Sequence, residues 1–463
     1  MGGHPGHLPG ERRGNRAGGA VKPTAAWRRQ LTAAHWRVLF ASSLGWSFDG
    51  YELYTLVLVL GPVLTTLLPP SQRSSFPFWA GLAIAITLLG WGIGGLIGST
   101  LADYLGRKRM MVYSVVGYAV FTGLTALSQD YWTLIALRLL TGLFLGSEWS
   151  TGVTLLAETW PDEARPKGAG ILQSALGWGT LLASLVWFLL NPLGPQAWRL
   201  MFVVGVTPAL FALYIRNRLD ESERWADAVR RGRWGATAED VRALEAAGGV
   251  GAAVRRPFTL AAIFRQRESR RRVVLSLLLS LSTMIGWWAI SSWLPTYAQA
   301  LARAEGFSNL AYWGSIAGLL YNAGAIVGYT ISGFVADAIG RRAYLSLMYA
   351  GSLLLTPVTY LWVHSLSGFL LVVAVNGFFT LAQYSWFAVY LPELFTSTVR
   401  STAIGFVFNA SRLVAWLGPL AAGSLIQYFG GIPKAAVAFG FVYVLGLAVA
   451  PFMPETRGQP LPE

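Results

Sequence analysis

The chain has 463 residues, of which 54% are hydrophobic and only 13% are charged, and its formal net charge is +14. A soluble domain carries about 25% charged residues, so this composition excludes a soluble fold. Cysteine is absent, which excludes disulfides and thiolate chemistry, and the four histidines are too scattered to predict a metal site or a cofactor.

Apolar stretches long enough to cross a bilayer recur along the whole chain. A membrane-spanning helix needs about 20 predominantly apolar residues. Twelve such stretches predict an all-α membrane protein with twelve transmembrane helices. They are residues 38–60, 78–101, 110–127, 134–157, 171–190, 200–215, 273–293, 312–335, 345–363, 369–391, 404–426 and 435–452.

The basic residues are concentrated on one side of these predicted helices. Thirty Lys and Arg residues lie at the termini and in the loops of that side, four lie in the opposite loops and two lie inside helices. The positive-inside rule therefore predicts that both termini are cytoplasmic, in the plasma membrane or, for a bacterial chain, the inner membrane. Topology accounts for the positive charge, so anionic lipid is an expected contact and nucleic acid is not.

Composition divides the chain into five predicted parts. Residues 1–35 are rich in Gly, Pro and Arg and are predicted to be a disordered basic tail. Residues 36–216 and 272–453 each hold six predicted helices. Residues 217–271 form a polar cytoplasmic linker, with a possible amphipathic helix at 238–247, and residues 454–463 form a cytoplasmic tail.

Charged motifs recur at an offset of 234 or 235 residues, at equivalent places in the order of the helices. Matching motifs at one offset indicate a duplication, and hence two repeats of six helices. The recurring residues are Asp103, Gly106, Arg107 and Lys108 with Asp337, Gly340 and Arg341, and Glu158 and Arg165 with Glu393 and Arg400.

These repeats resemble the major facilitator superfamily, in which two parallel six-helix halves enclose a central cavity. The superfamily's D-x-x-G-R-[KR] loop occurs twice, with Ser99 in place of the usual leading glycine in the first copy. The resemblance implies a transporter, not an enzyme, that works by alternating access. We predict that the repeated charges form a cytoplasmic gate, although positive-inside topology alone is an alternative explanation.

Two acids lie within the first predicted helix. Asp49 and Glu52 are three residues apart, which places both carboxyls on one helical face. Two acids in a medium of low dielectric do not both ionise easily, so we predict that they carry a proton. A purely structural hydrogen-bonded pair is the alternative. Glu148 is a further candidate for proton coupling. It and its equivalent in the other repeat, Gln383, are predicted to face the central cavity, where Gln383 is a candidate substrate contact.

Two arginines also lie inside predicted helices. Arg138 is predicted to have a structural or a coupling role, with Glu52 or Glu148 as its partner. Arg412 has no Lys or Arg within eleven residues on either side. Its planar guanidinium matches a carboxylate, which predicts binding of an anionic substrate, and a permanent ion pair is the alternative.

The membrane charges narrow the resemblance. The D-G-x-[DE] pattern in helix one and the arginine in helix eleven resemble the aromatic-acid:proton symporters. The G-x-E-W and N-x-x-R patterns resemble the sialate and monocarboxylate:proton symporter group. Both imply coupling acids at Asp49 and Glu52 and an anion-binding Arg412.

The predicted function is proton-coupled symport of a small carboxylate by a monomer. A proton-driven exporter of drugs or metabolites, or a sugar:proton symporter, is the alternative, since residues 219–225 resemble a sugar-porter segment. Further predicted substrate contacts are Gln173, Trp287, Tyr321, Asn322 and Asn409.

Overall fold

The structure is a computed structural model that describes residues 26–230, 258–291, 293–417, 426 and 428–462. These residues form helices and turns and contain no strand, which confirms the predicted all-α fold. Seven helical segments, some of which continue through a short turn from one helix into the next, are long and apolar enough to cross a bilayer. The other predicted spans hold helices that are shorter, interrupted or charged at one end.

Helices occupy all six spans predicted in the first half. The fourth and sixth spans are each broken in two, near Gly146 and near Gly205. The helices are α1 (Ala33–Leu67), α2 (Phe76–Leu105), α3 (Arg107–Thr125), α4 (Tyr131–Leu145), α5 (Glu148–Thr159), α6 (Arg165–Leu190), α7 (Ala197–Val204) and α8 (Pro208–Arg218).

Helices also occupy the spans predicted in the second half. The eleventh span is described continuously to residue 417, and the tenth is interrupted by a 3-10 turn at Gln383–Ser385 before it continues in a further helix. The helices are α9 (Glu223–Arg230), α10 (Thr259–Arg265), α11 (Arg267–Ser291), α12 (Leu294–Ala304), α13 (Leu310–Ile339), α14 (Arg341–Pro357), α15 (Leu366–Ala382), α16 (Trp386–Val389), α17 (Arg400–Ala410), α18 (Arg412–Ala415), α19 (Ile432–Gly440) and α20 (Val442–Val449).

Parts of the predicted tail and linker are helical. Residues 26–30 form a 3-10 helix whose Trp27 is buried against Phe334, so the predicted disorder of residues 1–35 is wrong at its C-terminal end. Helices α9 and α10 lie within the predicted linker, and α11 begins inside it at Arg267. The amphipathic helix suggested at 238–247 lies outside the described residues.

Small residues let helices of the two halves cross closely. Helix α2 packs on α17, and helix α6 packs on α13. At the first crossing, a Cβ atom on Gly405 would overlap the side chain of Ser99. At the second, a Cβ atom on Gly333 would overlap the backbone of Pro166. The serine that replaces the usual glycine of the first loop is therefore accommodated by a glycine on the opposite helix.

Candidate functional site

The two repeated loops form equivalent tight turns. Gly106 ends α2 with φ of 101°, and Gly340 ends α13 with φ of 95°. This left-handed region is readily accessible only to glycine, so each turn lets the next helix begin at once. Each loop thereby holds an aspartate and an arginine of one motif next to each other on the side predicted to be cytoplasmic.

The first loop is joined to the other half by buried ion pairs. Arg107 pairs with Asp103 and with Glu158, both at 3.1 Å. Glu158 also pairs with Arg400 of the second half at 3.0 Å. Asp103 accepts a hydrogen bond from the backbone N–H of Thr402 at 2.9 Å. All four predicted gate residues named here are buried and belong to one cluster.

The second loop forms the corresponding cluster. Arg341 pairs with Asp337 at 2.7 Å and with Glu393 at 2.9 Å. From the first half, Arg165 reaches Glu393 at 3.3 Å and Lys167 reaches Asp337 at 2.5 Å. Lys167 was not among the predicted gate residues. Its position two residues after Arg165, at the start of the same helix, was the available signal.

Lys108 takes part through its backbone and not through its side chain. The carboxylate of Glu221 accepts hydrogen bonds from the backbone N–H groups of Arg107 at 2.9 Å and Lys108 at 3.2 Å. These N–H groups lie in the first turn of α3, where the helix itself offers them no acceptor. The predicted gate role of the Lys108 side chain is therefore not seen, and among the described residues its ammonium group makes no ion pair.

Glu455 caps α14 in the same way. Its carboxylate accepts hydrogen bonds from the backbone N–H groups of Arg341 at 3.0 Å, Arg342 at 3.1 Å and Arg457 at 3.0 Å. Partial burial raises the pKa of this carboxyl, but the three donors outweigh burial and hold the pKa below its usual value.

The segment that follows α20 packs into the gate. The hydroxyl of Thr456 donates to Glu393, and Arg400 donates to the carbonyl of Pro462 at 2.5 Å. Leu461 is buried. Residues 454–462 are therefore packed against the ion-pair clusters of both loops and are not a free tail.

The membrane acids of helix α1 have different partners. The carboxyls of Asp49 and Glu148 lie beside one another and are fully buried. None of their four oxygens accepts a hydrogen bond from another described residue. A Cβ atom on Gly45, one turn before Asp49, would overlap the carboxylate of Glu148, so this glycine makes room for it. We call Asp49 and Glu148 the acid pair.

Glu52 belongs to a separate buried ion pair. Its carboxylate pairs with Arg138, which also donates to Thr125 at 2.7 Å and Thr141 at 2.9 Å. The guanidinium lies 4.7 Å from the ring centroid of Phe202. Of the two partners predicted for Arg138, Glu52 and Glu148, the structure shows Glu52. The joint carboxyl pair predicted for Glu52 and Asp49 is not formed.

Arg412 has no acidic partner among the described residues. Its guanidinium donates to the carbonyl of Phe408 at 2.8 Å and to Asn409 at 3.3 Å. It lies 4.6 Å from the ring centroid of Trp91 and 3.9 Å from that of Phe408. Asp49 lies within electrostatic range of the guanidinium but makes no salt bridge to it. The guanidinium is thus buried, with 5% of the residue exposed, and no described acid forms a salt bridge with it.

Aromatic rings surround Arg412 and the acid pair. Trp149, directly after Glu148, stacks on Phe408 with centroids 3.7 Å apart and contacts Trp46 at 5.7 Å. Phe387 packs edge-on against Phe408 at 4.9 Å. Sequence reasoning missed these rings. The signal was available, since Trp149 and Tyr384 are equivalent residues that follow the paired Glu148 and Gln383.

The other predicted contacts are distributed over two regions. Gln173 accepts a hydrogen bond from the indole of Trp149 at 3.1 Å, and Trp287 packs on Tyr384 at 5.3 Å, so both adjoin the aromatic rings. The remaining three bond within the second half or across to α6. Gln383 donates to Ser352 at 3.2 Å, Tyr321 bonds Thr380 at 2.8 Å, and Asn322 accepts from Thr180 at 3.4 Å.

The fold is similar to a solved major facilitator structure. The proton:xylose symporter XylE of E. coli superposes with a TM-score of 0.71, covering 93% of this chain and 98% of the symporter at 18% sequence identity. Two curated relatives have names that refer to organic acids or their lactones. A "probable 4-methylmuconolactone transporter" of Cupriavidus pinatubonensis is 28% identical over 446 residues, covering 94% of each chain. A "cis,cis-muconate transport protein" of Acinetobacter baylyi is 26% identical over 435 residues, covering 94% of this chain and 98% of the relative.

The family model described as "sugar (and other) transporter" matches residues 67–463. The family and these relatives are transporters of small molecules and not enzymes. The predicted resemblance to the major facilitator superfamily is confirmed. This chain is a multi-pass integral membrane protein and belongs to the sugar (and other) transporter family of that superfamily.

Proposed function

We propose that this transporter is a proton-coupled symporter of a small organic anion that carries a carboxylate. The observation that carries the proposal is Arg412, a buried guanidinium with no acidic partner among the described residues. No described acid forms a salt bridge with this guanidinium, so its donors are available to the carboxylate of a ligand. The planar guanidinium matches a carboxylate with two parallel hydrogen bonds.

The names of the two relatives support an organic acid. The family description also includes sugars. A neutral sugar brings no carboxylate that can pair with the Arg412 guanidinium, and for this reason we favour the anion. The guanidinium also lies over the rings of Trp91 and Phe408, which places apolar surface beside the proposed carboxylate contact.

The acid pair is the proposed proton site. Two adjacent buried carboxyls with no other hydrogen-bond partner are stabilised when they hold a proton between them. Glu52 is less suited to this role, because Arg138 stabilises its ionised form. In alternating access, the gate clusters open on one side while the site closes on the other, so a proton and an anion bound together cross together.

The anion proposal is tested by thermal stabilisation of the purified protein. The ligands are nicotinate, benzoate and cis,cis-muconate, with xylose and nicotinamide as uncharged comparisons. A ligand that binds the folded state raises the melting temperature, so at least one acid should do so and the uncharged compounds should not. Arg412→Ala should weaken the acid's affinity by about ten- to a hundredfold, because a charge-assisted contact is worth about 1.5–3 kcal/mol. Arg412→Lys keeps the charge but loses the planar guanidinium, so its affinity for the acid should lie between those of the wild type and Arg412→Ala.

The exposed Arg303 provides a matched control, and Arg303→Ala should bind as the wild type does. A folded Arg412→Ala protein with unchanged affinity, or a best ligand without an acidic group, would contradict the proposal.

Proton coupling is tested in proteoliposomes with an imposed pH gradient. Asp49→Asn and Glu148→Gln should abolish gradient-driven accumulation and retain exchange of substrate across the membrane, because exchange does not require net proton movement. Glu268→Gln, at an exposed acid, should accumulate as the wild type does. Accumulation by both acid-pair variants would place the proton site elsewhere.

We also propose that both termini face the cytoplasm. The charge distribution of the loops supports this orientation. Because the chain contains no cysteine, a single cysteine can be introduced at Gly235 of the linker. An impermeant thiol reagent added outside intact cells should leave it unlabelled and should label it after lysis. Labelling from outside would mean that the linker faces the outside, which contradicts the proposed orientation.

A further inference from the structure

We propose that each transport cycle moves one proton with one singly charged carboxylate, and that the central site carries no net charge whether it is empty or loaded. The inference rests on the proposed function and extends it in two respects. It names the charge class of the substrate, and it states that transport does not respond to the membrane potential.

The buried cations of the described residues are paired with acids, with one exception. Among the described residues, every buried Lys or Arg except Arg412 forms an ion pair with a buried or half-buried acid. The paired cations are Arg107, Arg138, Arg165, Lys167, Arg341 and Arg400. Arg412 is therefore the one cation of the described membrane region that a substrate can neutralise, and one carboxylate neutralises it.

Without substrate, the site carries no net charge when the acid pair holds one proton. The acid pair holds one shared proton most readily, because two adjacent carboxylates repel and a shared proton supplies the hydrogen bond that both lack. The pair then has a charge of −1, which balances Arg412 at +1.

Other groups near the acid pair add no charge. Glu52 on α1 is neutralised by Arg138 of α4. Tyr118 of α3 and Tyr384, which follows α15, are buried phenols that remain neutral. The empty site can therefore reorient without moving a net charge through the membrane.

With a monocarboxylate bound, the site carries no net charge when the acid pair holds two protons. A bound monocarboxylate adds one negative charge beside Arg412, which leaves the shared-proton acid pair unbalanced. A second proton on the pair restores neutrality, so Asp49 and Glu148 are then both protonated. That proton comes from the side on which the anion binds and leaves with it on the other side, and no covalent bond forms or breaks. Binding of the anion and of the second proton therefore favour each other.

A dicarboxylate would bring a further negative charge. The described residues offer no second unpaired buried cation, and the acid pair has no place for a third proton. The second carboxylate would enter the closed site uncompensated, which is strongly unfavourable in a medium of low dielectric. The site should therefore reject dianions and accept monoanions of the same shape.

The voltage test uses proteoliposomes loaded with buffer and supplied with radiolabelled nicotinate under a fixed pH gradient. Valinomycin and potassium set the membrane potential to zero or to about 100 mV inside negative. A net movement of one charge per cycle would change steady-state accumulation about fiftyfold at this potential. We expect a change of less than twofold. Protein-free liposomes and Arg412→Ala proteoliposomes measure uptake that does not pass through the site.

The charge test compares cis,cis-muconate with its monomethyl ester, which has the same carbon skeleton and one charge fewer. The monoester should bind at least tenfold more tightly than the dianion, and Arg412→Ala should remove the binding of the monoester. A dianion that binds as well as the monoester would overturn this inference.

The outcomes separate the two proposals. Gradient-driven uptake of nicotinate that also depends strongly on voltage would overturn the one-to-one coupling and leave the organic-anion symporter intact. If neither nicotinate nor the monoester binds or enters under a pH gradient, the proposed function fails and this inference fails with it.

Discussion

Glu221 and Glu455, 234 residues apart, cap equivalent helices of the two halves. Each accepts hydrogen bonds from the first backbone N–H groups after a glycine turn, Glu221 at α3 and Glu455 at α14. Each also lies just after the last helix of its half. The duplicated unit therefore extends beyond its six helices to include the acid that closes its own loop.

The caps should contribute to stability through these hydrogen bonds. Glu221→Gln and Glu455→Gln should each lower the free energy of unfolding by about 0.5–2 kcal/mol, the range measured for the loss of a helix cap. Thermal unfolding in detergent measures the effect. The matched control is Glu223→Gln, because Glu223 is exposed and is the first residue of α9. Equal losses in all three variants would mean that the caps have no special role.

The contribution of Glu455 should depend on pH. The pKa of this carboxyl in the folded protein lies below its usual value of 4.5, so folding favours the ionised form. Its stabilising effect is then fully present above the unfolded pKa and is lost as the pH falls through the folded pKa. The difference in melting temperature between wild type and Glu455→Gln should be constant near neutral pH and shrink below 4.5. A difference that grows on acidification would contradict this assignment.

The gate should open when its link between the halves is weakened. In Glu158→Gln the carboxylate that pairs with both Arg107 and Arg400 is lost. A cysteine at Ser397, whose carbonyl accepts from Arg107 in the closed gate, reports access from the cytoplasmic side. Its labelling should become at least about tenfold faster, since a charge-assisted hydrogen bond is worth about 1.5–3 kcal/mol.

A control for the gate lies within the first half. Asp162 pairs with Arg165 of the same half and is 41% exposed. Asp162→Asn therefore removes a gate charge without removing a contact between the halves. It should leave the labelling of Ser397→Cys unchanged, and a comparable increase there would mean that the labelling reports a general loosening.

The pair of Glu52 and Arg138 should behave as one structural unit. Removing either partner leaves the other charge buried and alone, which costs about 3–5 kcal/mol. Glu52→Gln with Arg138→Gln should cost much less than the two single losses together, and it should retain proton-coupled uptake. Unfolding of the four proteins in a double-mutant cycle measures this coupling. Additive losses, or a double variant that folds but no longer couples, would restore Glu52 as a proton carrier.

Periodicity and repetition predicted most of the fold. Every predicted span contains a helix in its described part, because apolar length is the dominant signal in a membrane protein. The breaks near Gly146 and Gly205 were not predicted, since an apolar run does not reveal where a helix is interrupted. A Cβ atom on Gly146 would overlap the backbone of Gly95, so this glycine lets the break lie directly against α2.

The candidate site was predicted as a set of residue types but not as a set of partners. Spacing correctly placed Asp49 and Glu52 on one helix, yet the partners Glu148 and Arg138 come from other helices. Which side chains meet between two helices depends on how each helix is rotated about its own axis. The spacing of residues along one helix does not determine that rotation. The ion-pair clusters of the two loops were more accessible to prediction, because their charged motif recurs in both halves and recurrence points to equivalent residues.

The packing of residues 454–462 into the gate has a practical consequence for work with this protein. Pro462 accepts a hydrogen bond from Arg400, and Leu461 beside it is buried. An affinity tag or fluorescent protein joined directly after residue 463 would begin at this contact and would compete with the packing of Leu461 and Pro462.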